Sequence, residues 1–187
     1  LNGDWYENHY VGDSEVERER WKEYFRRAVR ALEVAGSDFE VDFNIAEGMQ
    51  DSVGIAELYP GDDYVDVIGI DVYDSYLAPI DPGARTQARN AKENGLTDVV
   101  AFAKERDKPL SLPEWAMVAE GDTQGGGDNP TFVDQVADVV RDNAVRYQAY
   151  FNVPQGGVGM TLADAPEGAA RYLERFGASG DAASRSR

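Results

Sequence analysis

The sequence contains no cysteine and only one histidine, His9, among its 187 residues. Disulfides, thiol catalysis and thiolate metal sites are therefore excluded within this chain. One histidine cannot build a multi-histidine metal centre, and a Ser-His-Asp triad would have to use that single residue. We expect neither a bound metal nor a cofactor.

Long apolar runs and an excess of positive charge are also missing. No hydrophobic stretch approaches the roughly 18 residues that cross a bilayer, so no membrane association is expected. The formal net charge is -17. A field of this sign repels phosphate backbones, and nucleic acid is therefore not an expected partner. With 42% hydrophobic residues, the chain can still bury the core of one ordinary domain.

What the sequence does contain is an alternation of helical and strand-like patterns. A capping-box pattern, Ser14 to Glu17, opens an amphipathic helix whose predicted inner stripe is Trp21, Tyr24, Phe25, Ala28, Val29 and Leu32, with Gly36 as its end. Strands are predicted over 39–45, 64–70, 109–115 and 147–153. Helices are predicted over 82–106, with a break at Asn94-Gly95, and after Pro130 and Pro166.

This order predicts a parallel sheet with helical crossovers. Two architectures compete, an open doubly wound sheet and part of a (β/α)8 TIM barrel. Neither a dinucleotide fingerprint nor a P-loop supports a nucleotide-binding open sheet. A barrel needs eight strands, and four are predicted here. If the fold is a barrel, this chain is therefore roughly its C-terminal half. Residues 1–176 are expected to form the domain, and 177–187, small and polar, a flexible tail or linker.

Polar and aromatic residues stand at the predicted carboxyl ends of the strands, where parallel α/β folds gather functional side chains. They are Asn44, Asp71, Tyr73, Glu114, Trp115 and Tyr150. Sugars offer apolar C–H faces for rings to cover and hydroxyls for Asp, Asn and Tyr to bind. Glycoside hydrolysis also needs two carboxyl groups. The composition of these strand ends therefore favours a carbohydrate site.

Glu114 is the sharpest candidate, because it stands between apolar residues where a strand leaves the core. A carboxylate there is costly to bury without partners. The alternative is an ordinary surface glutamate on a loop. Asp71 and Tyr73 are two positions apart and share a face of an extended chain. They either line a cleft or are a strand-end aspartate and a packed tyrosine. Trp5 is either a sugar platform or a hydrophobic anchor.

Taken together, these motifs resemble glycoside hydrolase family 26 (GH26), whose best-known members are β-mannanases. The resemblance covers most of residues 1–176. The matching stretches are Asn2-Gly3-Asp4-Trp5-Tyr6, the run from Tyr59-Pro60-Gly61-Asp62 to Asp71-Val72-Tyr73, the run from Lys108-Pro109 to Glu114-Trp115-Ala116, and Gly127-Asp128-Asn129-Pro130.

The resemblance implies a (β/α)8 barrel that hydrolyses β-1,4 bonds of a plant-type polysaccharide or oligosaccharide with retention, through a covalent glycosyl-enzyme. Glu114 matches the family's nucleophile, Tyr73 a tyrosine that bonds the nucleophile, and Asp71 its neighbour in the cleft. Trp5 matches an aromatic residue that contacts the sugar beside the scissile bond. Asn2, Asn44, Trp115 and Tyr150 complete the expected substrate contacts. Secretion is also implied by the family. The oligomeric state is left open.

Two positions depart from the family pattern. The family's acid/base glutamate lies in a pattern resembling Glu-x-Asn-Gly, of which Leu1-Asn2-Gly3 matches the last part. The glutamate is therefore expected one position before Leu1. Where many mannanases carry a tryptophan on the eighth strand, this chain has Tyr147, Tyr150 and Phe151. A β-glucanase or xylanase stays open beside a mannanase, as do a non-catalytic glycan-binding barrel and an unrelated α/β domain.

Overall fold

The computed structural model describes residues 11–177, apart from 13, 37, 49–52, 78–80, 122–123 and 154–158. In this part of the chain the helices are α1 (Glu15–Val34), α2 (Ile55–Leu58), α3 (Pro82–Asn90), α4 (Leu96–Glu105), α5 (Pro130–Asp142) and α6 (Pro166–Phe176). The strands are β1 (Asp42–Ala46), β2 (Val67–Tyr73), β3 (Leu110–Ala116) and β4 (Val145–Tyr150). Asn2, Trp5 and the predicted tail beyond residue 177 lie outside the described residues.

The four strands form one sheet in the order β1-β2-β3-β4. β1 is parallel to β2 and β3 is parallel to β4. Helices stand between successive strands, as the alternation of patterns predicts. The strand bounds differ from the prediction by up to three residues. β2 begins at Val67 rather than Tyr64, because Asp62 to Tyr64 form a 3-10 turn. Asp71 and Tyr73 consequently lie within β2 and not after it.

The chain divides into two compact units. We call residues 1–72, 88–115 and 143–150 the sheet unit, and residues 73–87, 116–142 and 151–187 the loop unit. The core of the sheet unit includes a series of edge-to-face aromatic contacts, in which Phe43 meets Tyr59 at 5.5 Å and Tyr59 meets Phe102 at 5.1 Å between ring centroids. Such pairs stabilise a core beyond the area that they bury.

Helix α1 begins at the predicted capping box. The Ser14 hydroxyl accepts a hydrogen bond from the Glu17 amide at 3.3 Å, and the Glu17 carboxylate accepts one from the Ser14 amide at 3.1 Å. Both satisfy amides that a helix start leaves unpaired. The buried stripe is narrower and shorter than predicted. Trp21, a predicted core residue, is only half-buried, and it packs with Phe25 on Phe43. Tyr24, beside the stripe, and Leu32, in the last turn, are exposed.

The loop unit is built around α5 and α6. Asn129 precedes Pro130 as predicted, and its side-chain oxygen accepts a hydrogen bond from the Phe132 amide at 3.3 Å. Asp128 accepts bonds from the first amides of α6, at 2.6 and 2.8 Å. The predicted inner face of α6 is wrong at Leu173, which is 68% exposed. The side of α6 that carries Gly168 and Tyr172 is the more buried one.

Replacing Ser14 by alanine removes the hydroxyl acceptor of the capping box. We expect Ser14→Ala to lower the free energy of unfolding by about 1 kcal/mol in urea titrations, as lost N-caps generally do. Ser14→Asp keeps an acceptor at the same position and should lose much less. Equal stability of Ser14→Ala and the wild type would contradict the role of this cap.

Candidate functional site

One face of the sheet carries polar side chains from all four strands. Asp42 Oδ2 accepts hydrogen bonds from Ser111 Oγ at 2.5 Å and from the Tyr147 hydroxyl at 2.7 Å. Asn44 Nδ2 donates to Asp71 Oδ2 at 2.9 Å. The intervening residues of the strands are apolar and buried, among them Phe43, Ile45, Ile68, Ile70 and Leu112. Side chains alternate between the two faces of a strand, so the period-2 pattern separates an apolar face from this polar face.

Gly69 lies at the centre of the polar face, opposite Asn44 in the β1–β2 register. A Cβ atom at position 69 would stand 2.6 Å from Asp42 Oδ1, 2.6 Å from Ser111 Oγ and 2.9 Å from Asn44 Oδ1. These separations are below van der Waals contact. The absence of a side chain therefore allows polar groups of β1 and β3 to approach each other across β2.

We expect Gly69→Ala to destabilise the chain by about 1–3 kcal/mol, because the added methyl group overpacks the polar face. Adding Ser111→Ala removes one of the colliding atoms and should restore part of the loss. Gly54→Ala is the matched control, since its new Cβ would meet no atom within 4 Å. Thermal or urea unfolding of the four proteins is the measurement. A Gly69→Ala protein as stable as Gly54→Ala would contradict the crowding at position 69.

Asp71 is 5% exposed, and its surroundings act on its ionisation in opposite directions. Burial raises the pKa of its carboxyl from 3.8 to about 6. The hydrogen bond from Asn44 and the polar backbone N–H of Glu114 lower the pKa, whereas the negative charge of Glu114 raises it. Asp71 and Glu114 are therefore near enough to interact. Near pH 6, Asp71 can either donate or accept a hydrogen bond.

The raised pKa makes a prediction about stability. Between about pH 4 and pH 6 the folded chain holds a proton on Asp71 that the unfolded chain has lost. Its contribution to stability is therefore full below pH 4 and is lost as the pH rises to 6. Asp71→Asn removes this titration. Above pH 6 we expect the variant to be more stable than the wild type by roughly 2–3 kcal/mol, with little difference below pH 4.

Urea titrations at several pH values test this expectation. Asp63→Asn makes the same chemical change at an exposed aspartate and is the control for the substitution itself. A constant difference between Asp71→Asn and the wild type across the range would contradict the raised pKa.

Glu114 is partly exposed near the end of β3, between Pro113 and Trp115. Trp115 is completely buried, and its indole N–H donates to Gln148 Oε1 at 2.6 Å. Its ring meets the Tyr150 ring edge to face at 4.9 Å. Trp115 therefore anchors β3 beside Glu114, and its predicted contact with the substrate stays a prediction.

Tyr73 ends β2 and belongs to the loop unit, where its ring meets Phe151 edge to face at 6.0 Å. Its predicted hydrogen bond to Glu114 stays a prediction. Asn44, Asp71 and Glu114 are the predicted site residues that the structure brings together. The predicted roles of Asn2 and Trp5 concern residues outside the described part of the chain.

Sequence reasoning missed a buried ion pair in the loop unit. Arg85 Nε and Nη2 donate to Asp74 Oδ1 at 3.0 and 2.9 Å, and Asn129 Nδ2 donates to Asp74 Oδ2 at 2.7 Å. Arg85 also donates to the carbonyls of Asp74, Leu77 and Gln124, at 2.8–3.0 Å. We call this network the Arg85 clamp. Its only sequence signal is an aspartate directly after a buried apolar run.

Glu47, just after β1, is another strand-end carboxylate that the sequence analysis did not name. Its side chain is 4% exposed and lies 3.3 Å from Lys92 Nζ and 3.8 Å from Arg89 Nε. Burial raises the pKa of Glu47, and the two cations oppose that rise. A buried carboxylate that is held by two cations has a structural role.

Among the described residues, no three His, Cys, Asp or Glu side chains are grouped so as to hold a metal ion. None of their helices combines the length and the apolar character that a membrane crossing requires.

The fold and the site define an α/β protein with a parallel sheet and interacting carboxyl groups towards the carboxyl ends of neighbouring strands. The sequence profile of glycosyl hydrolase family 26 matches residues 1–105, more than half of the chain. The chain belongs to this family. A search of curated proteins gave no match.

Solved structures of similar fold include family 26 enzymes. The modular endo-β-1,4-mannanase of Cellulomonas fimi is 24% identical, with a TM-score of 0.64, over 94% of this chain and 39% of that one. The endo-β-1,4-mannanase catalytic domain of Bacillus sp. JAMB-750 is 20% identical, with a TM-score of 0.59, over 95% and 50%. A β-mannanase of Bacteroides ovatus is 19% identical, with a TM-score of 0.56, over 83% and 43%.

The chain thus spans between 39% and 50% of the length of these three structures. The predicted fold class is confirmed. The parallel sheet with its alternating helices corresponds to part of a family 26 (β/α)8 barrel, and its four strands agree with the C-terminal half of such a barrel.

Proposed function

We propose that this chain supplies the nucleophile half of a retaining glycoside hydrolase that cleaves β-1,4 bonds of a plant-type polysaccharide, with a mannan as the first candidate. The observation that carries the proposal is the placement of Glu114 beside the buried Asp71–Asn44 pair. Membership of family 26 supports glycoside hydrolysis, and the similarity to mannanases favours a mannan. A polymeric substrate also favours a secreted enzyme.

The reaction requires two displacements. The Glu114 carboxylate attacks the anomeric carbon and forms a C–O bond while the glycosidic C–O bond breaks. A second carboxyl group protonates the departing oxygen. The same group then takes a proton from water, which attacks the anomeric carbon and releases Glu114. In retaining enzymes the two carboxyl groups stand about 5–5.5 Å apart. We assign none of the described residues to the second carboxyl.

Asp71 and Asn44 are proposed to bind and orient the sugar beside Glu114. The Asn44 amide holds one oxygen of Asp71 at 2.9 Å. The other oxygen, Oδ1, is buried and has no hydrogen-bond partner within the described part of the chain. A buried acceptor without a partner is costly, and a substrate hydroxyl would satisfy it. Tyr73 is proposed to hydrogen-bond Glu114 and Tyr150 to contact the sugar.

Covalent labelling tests the nucleophile directly. A 2-deoxy-2-fluoro-β-mannosyl fluoride carries a leaving group that needs little acid assistance. Attack by Glu114 breaks the C1–F bond, forms the ester at C1 and releases fluoride. We expect one added glycosyl mass per chain, on the peptide that contains Glu114, and no label on Glu114→Gln.

Glu120→Gln is the matched control, because Glu120 is an exposed glutamate six positions further along the chain. It should label at the wild-type rate. Label on another residue, or equal labelling of Glu114→Gln, would contradict the assignment of Glu114 as the nucleophile. The gluco- and xylo-configured fluorides, compared at the same concentration, decide the sugar. Faster labelling by either one would replace mannan with a β-glucan or a xylan.

A further inference from the structure

The loop that follows β2 holds a tyrosine in an unusual backbone conformation. Tyr76 has φ +55, in the left-handed region. Bulky side chains are disfavoured there, because the Cβ atom crowds the following carbonyl, whereas glycine and asparagine are tolerated. A glycine or an asparagine at position 76 would therefore reduce the backbone strain.

The Arg85 clamp holds the backbone on both sides of Tyr76. Arg85 Nη2 donates to the Asp74 carbonyl at 2.9 Å, and Nη1 donates to the Leu77 carbonyl at 2.8 Å. The Asp74 amide and carbonyl are bonded in turn to Ala116 O and Gly126 N, both at 3.0 Å. These four hydrogen bonds, to three backbone atoms, hold the chain around Tyr76 in a conformation that it would not adopt alone.

The Tyr76 ring itself takes little part in this packing. Asp74, Ser75 and Leu77 are at most 6% exposed, whereas Tyr76 is 63% exposed. Near Tyr76 the clamp bonds the Asp74 carboxylate and the carbonyls of Asp74 and Leu77, and none of these contacts requires an aromatic residue at position 76. Neither local conformation nor burial therefore explains an aromatic residue here. Residues in a strained backbone conformation that is held by surrounding hydrogen bonds tend to occur at binding sites and active sites.

We propose that Tyr76 is a carbohydrate-binding platform, whose ring covers the apolar face of a pyranose unit of the β-1,4-linked chain. The inference rests on the proposed function and adds a carbohydrate contact within the loop unit. A tyrosine ring supplies a rigid apolar face and a hydroxyl, and little side-chain freedom is lost when a ligand binds. Its loop follows the carboxyl end of β2, where parallel α/β folds bind ligands.

Binding is measured by calorimetry on the 187-residue chain carrying Glu114→Ala, so that no ligand is consumed. The probes are the β-1,4-linked hexasaccharides of mannose, glucose and xylose. We expect Tyr76→Ala to weaken the best of them about tenfold, equal to about 1.4 kcal/mol. Tyr76→Phe should stay within about twofold. Tyr24→Ala removes a tyrosine of similar exposure, 65%, from helix α1 and should leave the affinity unchanged.

Tyr76→Asn separates a binding role from a structural one. Asparagine tolerates the left-handed conformation, so the melting temperature should stay equal or rise while the affinity falls as in Tyr76→Ala. A lower melting temperature would mean that the ring supports the fold and would overturn the proposal.

The binding series also separates this inference from the proposed function. If the Glu114→Ala chain binds a hexasaccharide and Tyr76→Ala binds it equally well, only the platform is overturned. If the chain binds none of the three, both the platform and the proposed function are overturned.

Discussion

The approach of polar groups around Gly69 is the constraint on which the rest of the site depends. Side chains from β1 and β3 meet across β2 because β2 has no side chain at that point. Asp42, Ser111 and Tyr147 form one hydrogen-bonded group there, and Asn44 with Asp71 forms the next along the strands. The second group lies beside Glu114. The apolar faces of the same strands build the core, so a single sheet supplies both the core and the polar face.

Three buried carboxylates show why burial alone does not mark a functional residue. Asp74 is paired with the Arg85 guanidinium, and Glu47 lies between Lys92 and Arg89. Asp71 has instead the neutral Asn44 amide and the negative Glu114 as neighbours. Because Asp74 and Glu47 are paired with cations, their roles are structural. The third has no such cation as its partner within the described part of the chain, and burial raises its pKa to about 6.

Local patterns account for what the sequence predicted well. The cap at Ser14, the start of α5 at Pro130 and the alternation along β1 depend on residues a few positions apart. The start of β2 and the exposure of Leu173 were predicted wrongly, because both depend on tertiary contacts that the hydrophobic periodicity of the sequence does not reveal. The partners of Asp42 lie 69 and 105 positions away, and those of Asp74 lie 11 and 55 positions away. Only the folded register brings them together, so no spacing rule reveals them.

The Arg85 clamp also limits how this part of the molecule can diverge. It joins the loop after β2 to the loop after β3 through Leu77 and Gln124, while Gly126 leaves room for Asp74. A change that removes Asp74 leaves a buried guanidinium without its counter-ion, at a cost of about 3–5 kcal/mol. The two loops are therefore coupled, and their sequences are expected to change together. New substrate preferences at this edge should arise by exchanging both loops together, or by changing residues such as Tyr76 that the clamp does not bond through their side chains.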